Sequence, residues 1–395
     1  MWKIAVVKDT SKKMFGLHGL QTAPLGLPDT EVVAQVDPNF DGIADRMKIT
    51  GAKRHYTDLK TMLESEHPDI VILTSRHPGD HLEQIRLCAA YHAHIYCEKP
   101  LVADLEQGDE ILRLVKDSGI KFCMAHPCRY AEPYLTMTQM IANGEIGQII
   151  SFTARGKCDH RGGGEDLIVL GTHILDWLIQ LFGAPQTVMA DITKDGKPLE
   201  YGMVHQAKEA VDPVAGDHIY AVFRFANGIV GNFESASNLY TRAGGNSFMG
   251  LTVMGSKGSL SIRFEDGYER ELLICRAPVP PESGAEFEVV PTNESREIPG
   301  AEPLDYERCM IKDCPKLKYF PQSNRFAIYD LMQAIKEDRE PVSSAYNAIL
   351  TQEMIQGIYL SHLTGRKISF PLTERQHPLT HNAAGFPAIN ITATP

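Results

Sequence analysis

The chain has 395 residues, 43% of them apolar and 23% charged, and a formal net charge of −11. This length predicts two domains, the acidic balance argues against a nucleic-acid partner, and no run of about 18 apolar residues predicts a membrane span. Eight scattered cysteines lack the paired spacing of zinc sites, and the first apolar run is too short for a secretory signal, so we expect a reduced, cytoplasmic protein with no structural metal or disulfide.

The first part of the chain alternates short apolar runs with segments of helical periodicity. Continuous apolar runs are typical of parallel strands covered on both faces, so the pattern predicts βαβ units in a doubly wound α/β domain. Asp80 and Asp104 are expected to cap two of the helices, and Gly119 to end one. The predicted strands are KIAVV (3–7), EVVAQVD (31–37), IVILTS (70–75), HIYCEKP (94–100) and KFCMAH (121–126).

Longer strands with hairpin turns at FANG and GSKG follow, and they predict a second α/β domain with a large, mostly antiparallel open sheet. The segment GTHILDWLIQLFG (171–183) is a helix between these strands, residues 276–322 read as a Pro-rich loop with a short strand, and two helices come last. We expect a nucleotide-binding domain over 1–128, a substrate and oligomerisation domain over 129–373, and an extended tail over 374–395. This prediction allows the C-terminal helices to pack back on the first domain.

The loop after the first strand, VVKDTSKKMFGLHG, lacks the usual Gly-rich phosphate turn. Lys8, Asp9 and Thr10 stand where glycines are expected, and the loop supplies hydroxyl, amide and ammonium donors that suit a phosphate. Asp37 ends the second strand, where a carboxylate accepts both ribose hydroxyls and repels a 2′-phosphate, so NAD is favoured over NADP. An ordinary βα loop and a helix N-cap are the alternative interpretations of these two features.

The tripeptide EKP places Lys99 at the carboxyl edge of the predicted sheet, where ligands bind in this class of fold. A buried lysine beside a nicotinamide can exchange a proton with an alcohol, because desolvation disfavours its charged form. A surface ion pair at a strand end is the alternative. The other residues that we expect at the cofactor site along this edge are Ser75 and His81.

Three motifs in this order and spacing, EKP after HIYC, IANGEIGQIISF (141–152) and GTHILDWL (171–178), resemble the Gfo/Idh/MocA oxidoreductase family. The resemblance covers nearly the whole chain. It implies an NAD(P)-dependent dehydrogenase of sugars, inositols or related compounds, with a Rossmann domain followed by a large-sheet domain.

The resemblance also implies roles for single residues. Lys99 and His173 match the catalytic lysine and histidine of the family, Asp176 the acid one helical turn later, and Glu98 the residue beside the nicotinamide ribose. The segment HPCRY (126–130) matches one that lines the site, which implies that His126 is a cofactor residue. The substrate residues expected from this segment are Arg129 and Tyr130.

The chain departs from the family pattern at Val169, where many members have an aspartate. We expect Glu165 or Asp166 to bind substrate instead. Just before them, three glycines allow either close backbone approach or a mobile lid. The polar residues ahead of these glycines predict polyol recognition, with a solvated loop as the alternative. A metal site near His160 and His173 is a further alternative. These residues are Lys157, Asp159, His160 and Arg161.

The expected function is NAD-dependent oxidation of a carbinol in a sugar, sugar acid, cyclitol or glycoside, with Lys99 and His173 as the proton relay. One alternative is an enzyme that cleaves a glycoside through transient oxidation at C3 by bound NAD. The other is a non-catalytic sensor of dinucleotide or sugar, which the presence of both Lys99 and His173 disfavours. We expect a homodimer or homotetramer formed through the large sheet.

Overall fold

The computed structural model describes residues 1–12, 18–158, 160–211, 213–238, 249–265, 269–278, 284–292, 296–309 and 319–381. Contacts divide the chain into two compact units. The first comprises Met1–Val102, Glu106–Ala131 and Glu294–Ile349, and the second comprises Ala103–Leu105, Glu132–Asn293 and Leu350–Pro395.

The first unit contains the predicted parallel sheet, with strand order β3-β2-β1-β4-β5-β6. Every pair of neighbouring strands is parallel, as the continuous apolar runs indicate. The three-residue strand β3 escaped prediction, because it is short and carries no apolar run. The strands are β1 (Trp2–Val7), β2 (Thr30–Val36), β3 (Arg54–Tyr56), β4 (Ile70–Leu73), β5 (His94–Cys97) and β6 (Phe122–Met124).

The helices of the first half follow the predicted pattern with one correction. Helix α3 begins at Pro78 after His77, so Asp80 lies in its first turn and is not its N-cap. Gly119 adopts the left-handed conformation (φ 70°) directly after α4, as its predicted role as a stop requires. The described helices are α1 (Ile43–Thr50), α2 (Leu59–Glu66), α3 (Pro78–Ala90), α4 (Leu105–Ser118), α5 (Glu132–Ala142), α6 (Gly164–Val169), α7 (Gly171–Phe182), α8 (Tyr319–Glu337) and α9 (Ala345–Thr364).

Helix α8 packs on the first sheet, although it lies almost 200 residues beyond β6 in the sequence. Its buried apolar side chains join the core formed by β1, β4 and β5. Residues 294–349 lie within the predicted bounds of the second domain but belong to the first unit by contact, which agrees for α8 with the packing back that the prediction allowed. The buried residues of α8 in this core are Ala327, Ile328, Leu331 and Met332.

The second unit contains a ten-stranded sheet among the described residues, in the order β15-β14-β13-β12-β7-β11-β10-β8-β16, with β9 paired to β8. Only the β7–β11 pair of these strands is parallel, so the sheet is mostly antiparallel as predicted. The strands are β7 (Ile149–Arg155), β8 (Thr187–Lys194), β9 (Lys197–Pro198), β10 (His218–Arg224), β11 (Val230–Ala236), β12 (Met249–Gly255), β13 (Ser259–Glu265), β14 (Glu269–Cys275), β15 (Glu288–Val290) and β16 (Ile368–Ser369).

The glycines at 162–164, where α6 begins, lie directly against the backbone just before β10 and at the end of β11. A Cβ at Gly162 would lie 2.3 Å from the Ala236 carbonyl oxygen, and one at Gly164 would lie 2.2 Å from that of Ala215. Gly164 N–H donates to the Gly216 carbonyl (3.1 Å) and fixes this approach. Close backbone approach, one of the two predicted reasons for these glycines, is therefore confirmed.

We expect Gly164→Ala to lower the free energy of unfolding by about 1–3 kcal/mol, because backbone must move to admit the methyl group. Gly79→Ala in the first turn of α3 is the matched control, since no atom lies within 4 Å of its Cβ position. Urea titrations of both variants measure the effect. Equal stability of the two would mean that the approach at Gly164 is not required.

Candidate active site

The order of strands in the first sheet reverses between β1 and β4, so the loops after these strands diverge and leave a crevice at their carboxyl ends. A cavity of about 230 Å³ lies there, lined by the loops that follow β1, β4 and β5. Most of the charge in its lining is positive, which suits an anionic group such as a pyrophosphate. The charged or titratable lining residues are Lys8, Lys12, His18, Arg76 and Glu98.

The first loop is attached to the β4 side of this crevice. Lys12 Nζ lies 2.6 Å from Asp80 Oδ1, and Asp80 Oδ2 accepts a hydrogen bond from Ser75 Oγ (2.6 Å). Asp9 accepts the backbone N–H of Ser11 (3.0 Å), which closes a turn inside the loop. Ser75 and Asp9 thus shape the loops of the crevice, while the central part of the first loop, 13–17, lies outside the described residues.

Asp37 lies at the end of β2, fully buried, and its carboxylate holds the first loop. Oδ1 accepts the backbone N–H groups of Thr10 (3.2 Å) and Asn39 (3.0 Å), and Oδ2 accepts the Thr10 hydroxyl (2.9 Å). The Arg46 guanidinium forms an ion pair with Oδ2 at 2.9 Å. These contacts occupy the acceptor positions of the carboxylate, so a ribose hydroxyl would have to replace one of them.

Lys8, next to this cluster, also lines the cavity. Burial lowers the pKa of its ammonium, and the nearby Arg46 acts in the same direction, against the attraction of Asp37. Lys8 is half-buried at this position.

Glu98 and Lys99 follow β5 directly, and both side chains are almost completely buried, at 2% and 1% exposure. The backbone N–H of Lys99 donates to Glu98 Oε1 (2.9 Å), and His18 Nδ1 lies 3.0 Å from both carboxylate oxygens. Burial alone would raise the pKa of Glu98, but the charge and hydrogen bond of His18, with Lys99 and Arg76, outweigh it and lower that pKa to about 2. Glu98 is therefore an ionised acceptor at neutral pH.

The remaining predicted residues of the first unit are buried near the ends of β4 to β6. His81 lies with its two ring nitrogens 2.8 Å from the carbonyl oxygens of Ser75 and Leu101, so it connects the loop after β4 with the segment after EKP. His126 is buried just beyond β6. Their role at the cofactor site stays a prediction.

Arg129 and Tyr130 make contacts within the first unit. One guanidinium nitrogen of Arg129 donates to the Val342 carbonyl (3.0 Å), and the Tyr130 hydroxyl donates to Asp330 Oδ2 (2.9 Å). Burial raises the pKa of Tyr130 well above its usual value, so its hydroxyl remains a donor. These contacts give both residues a structural role, and a substrate contact stays a prediction.

In the second unit, Asp166 binds the end of β7 to β11. Its Oδ2 accepts the Lys157 backbone N–H (2.7 Å) and the Ser235 hydroxyl (2.7 Å). Glu165 accepts the backbone N–H groups of Lys208 (3.2 Å) and Glu209 (3.3 Å). Each carboxylate thus already accepts hydrogen bonds from backbone N–H groups, and substrate binding by either one stays a prediction.

Helix α7 carries His173 and Asp176 on one face, and both side chains are buried. His160 is exposed and Arg161 half-buried in the preceding loop, and Asp159 lies outside the described residues. The described part of the chain contains no cluster of three or more His, Cys, Asp or Glu side chains that could hold a metal ion.

Sequence reasoning missed His18, Arg76 and Asn324 at the site. His18 stands 80 residues before its partner Glu98 in the sequence. Asn324 reaches the first loop from α8, where its amide donates to the His18 carbonyl (2.5 Å). The position of Arg76 directly after the third predicted strand was the one available signal, because it shares the carboxyl edge of the sheet.

Comparison of the sequence with protein families identifies both halves of the chain. Residues 15–126 match the NAD-binding Rossmann fold of an oxidoreductase family, and residues 138–370 match the C-terminal alpha/beta domain of the same family. The chain belongs to the Gfo/Idh/MocA oxidoreductase family. The predicted resemblance, the α/β fold and the NAD-binding domain are therefore confirmed.

Several Gfo/Idh/MocA relatives have known names. The chain is 26% identical over 265 residues to the levoglucosan dehydrogenase of Pseudarthrobacter phenanthrenivorans. This alignment covers 60% of the chain and 66% of the relative. It is 24% identical over 241 residues to the myo-inositol 2-dehydrogenase of Thermotoga maritima, in an alignment that covers 59% of the chain and 68% of the relative. The first of these alignments thus spans just under two thirds of the curated relative.

A Gfo/Idh/MocA structure, levoglucosan dehydrogenase in complex with NADH and levoglucosan, resembles the fold with a TM-score of 0.71. It is 20% identical, and the match covers 94% of this chain and all of the other. The cationic crevice suits the pyrophosphate of NAD, and it is lined by Lys8, Thr10 and Lys12, whose part in holding the phosphates stays a prediction. Among the described residues, every helix is too short or too polar to span a bilayer.

The pKa of Glu98 predicts a specific pH dependence of stability. It falls from the ordinary 4.5 to about 2 in the folded protein, so ionised Glu98 contributes stability above pH 4.5 that is lost as the pH falls towards 2. We expect the difference in free energy of unfolding between wild type and Glu98→Gln to shrink by about 2 kcal/mol from pH 5 to pH 3. Urea titrations across this range measure it.

Glu83→Gln on the exposed face of α3 is the control for this series, because its side chain is mostly exposed. A Glu98→Gln difference that stays constant down to pH 3 would contradict the low pKa of Glu98.

Proposed function

We propose that the protein is an NAD-dependent dehydrogenase that oxidises a carbinol of a sugar, sugar acid, cyclitol or glycoside, with Lys99 and His173 as the proton relay. The burial of Lys99 at the carboxyl end of β5, beside the cationic crevice, is the observation that carries the proposal. The names of the relatives, which act on levoglucosan and on myo-inositol, support a polyhydroxylated substrate.

NAD, when bound, accepts the hydride from the carbinol carbon. The chain then has to remove the hydroxyl proton, and a lysine in a desolvated position can take it because burial disfavours the ammonium form. Glu98 accepts the backbone N–H of Lys99 and so fixes the start of the segment that presents this side chain.

His173 is proposed as the second member of the relay on the family resemblance and on its burial beside Asp176 on α7. Selection of NAD over NADP is proposed through Asp37, whose negative charge opposes a 2′-phosphate. Arg46, in ion-pair contact with Asp37, weakens this opposition, so the preference is expected to be moderate.

Lys99→Ala is expected to lower kcat by about 10²–10⁴-fold, the contribution of one positioned acid–base group. Lys99→Arg is not expected to restore it, because a guanidinium stays charged. NADH absorbance over a panel of cyclitols, aldoses, sugar acids and glycosides, with NAD and NADP as alternative oxidants, measures turnover. The double variant with His173→Ala is expected to lose less than the product of the two single losses, if the residues act together.

Lys121→Ala, at the opposite end of the sheet, is the matched control for loss of a lysine. Full turnover by Lys99→Ala would place the proton relay elsewhere. Sugars that raise the melting temperature while no panel member is oxidised would instead indicate a sensor.

A second copy of the chain is the proposed macromolecular partner, bound through the outer face of the large sheet. Neighbouring strands there expose apolar side chains, with Met189 on β8 paired to Val222 on β10 and Tyr220 two residues away on the same face. Their exposed fractions are 56%, 39% and 43%. Clustered exposed apolar side chains on a regular sheet are typical of an interface between subunits.

Val222→Glu is expected to convert the oligomer to a monomer, because a carboxylate buried in an apolar interface has no partner. Val342→Glu, which changes an exposed valine of the first unit, is the matched control. Size-exclusion chromatography with light scattering measures the mass. A wild-type monomer, or an unchanged mass in Val222→Glu, would contradict the proposed interface.

A further inference from the structure

His18 lines the crevice and is held on three sides by residues of α8 and of the segment after β5. Its ring stacks on Phe320 of α8, with centroids 5.6 Å apart and planes within 10°. Its carbonyl accepts the amide of Asn324 (2.5 Å), which itself accepts the Tyr96 hydroxyl of β5 (2.8 Å). The ring is therefore fixed relative to the strand that ends in Glu98 and Lys99.

The third contact of His18 is with the Glu98 carboxylate, and here the direction of the hydrogen bond is determined. An ionised carboxylate only accepts, so Nδ1 carries the hydrogen and donates. With Nδ1 at 3.0 Å from both Oε1 and Oε2, this donor faces the middle of the carboxylate. Glu98 is thereby held in one orientation by an imidazole that is itself immobilised.

The titratable or cationic groups that act on Glu98 are His18, Lys99 and Arg76, and Lys8 and Lys12 line the same cavity. Glu98 is shared between two neighbours, since its carboxylate accepts the Lys99 backbone N–H and the Nδ1–H of His18. Burial lowers the pKa of His18, and Lys99 and Arg76 act in the same direction against the attraction of Glu98. The neutral imidazole is the form that the surroundings favour near neutral pH.

We propose that His18 is a positioning residue for the oxidation, and that its hydrogen bond to Glu98 limits the pull of that carboxylate on the Lys99 ammonium. This inference rests on the proposed function, in which Lys99 takes the alcohol proton. Without the imidazole, the Glu98 carboxylate can reorient towards Lys99 and stabilise its protonated amine. A protonated imidazole would have the opposite effect, since its positive charge repels that of Lys99 and disfavours the ammonium form.

The pH profile of kcat/KM distinguishes this role from a purely structural one. In His18→Ala we expect the rise of the profile to move to higher pH, with a loss on the order of tenfold at pH 7, the effect of displacing a titration by one unit. His18→Asn should restore the wild-type profile, because its side-chain amide can donate from near the Nδ1 position. His94→Ala, at the opposite end of β5, is the matched histidine control.

Melting temperatures of the same variants separate folding defects from the effect on the profile. An unshifted profile in a folded His18→Ala protein, or a shifted one in His94→Ala alone, would overturn the inference while leaving the proposed function intact.

A second measurement does not depend on turnover. The full chain labelled with ¹³C at the lysine ε-carbons, with NAD added, is titrated by NMR, and the Lys99 signal is identified by its loss in Lys99→Arg. We expect this signal to titrate at higher pH in His18→Ala than in wild type. Equal titration in both would overturn the role of His18, whereas a wild-type enzyme that oxidises no substrate would overturn the proposed function alone.

Discussion

A carboxylate enclosed by protein needs compensation at close range, and the carboxyl edge of the first sheet is organised around this requirement at Glu98. Glu98 is almost fully buried, and groups from three separate parts of the chain satisfy it: His18 from the first loop, Arg76 after β4 and Lys99 beside it. Helix α8 then fixes His18, because Phe320 stacks on its ring and Asn324 donates to its carbonyl oxygen. The buried lysine that would do the chemistry is therefore one part of a charge cluster and not an isolated group.

The second unit meets a different constraint, because its site-bearing loop must lie within van der Waals distance of strand backbone. Glycines at 162–164 permit this approach, and Asp166 then serves as the acceptor that ties β7 to β11. The helix that carries His173 and Asp176 begins only a few residues later. The close backbone approach of the glycines and the Asp166 acceptor together therefore position the start of this helix.

The sequence predicted what depends on local pattern. Apolar runs located β1, β2, β4, β5 and β6, and the EKP motif located Lys99 at the edge of the sheet. Strand β3 was missed because three half-exposed residues leave no periodic signal. His18 was missed because its importance comes from Glu98 and from α8, which are 80 and about 300 residues away. The packing of α8 on the first sheet likewise depends on a contact between distant segments, which periodicity alone does not encode.

The saturated environment of Asp37 has a consequence for redesign of coenzyme preference. In dinucleotide-binding folds of this type the acidic residue after the second strand hydrogen-bonds the ribose 2′-hydroxyl of NAD. Here the Asp37 carboxylate contacts Thr10, Asn39 and Arg46, so it stabilises both the loop after β1 and the loop after β2. A library aimed at coenzyme preference would vary Thr10, Asp37 and Arg46 together, because a change at Asp37 alone removes the contacts that hold the first loop.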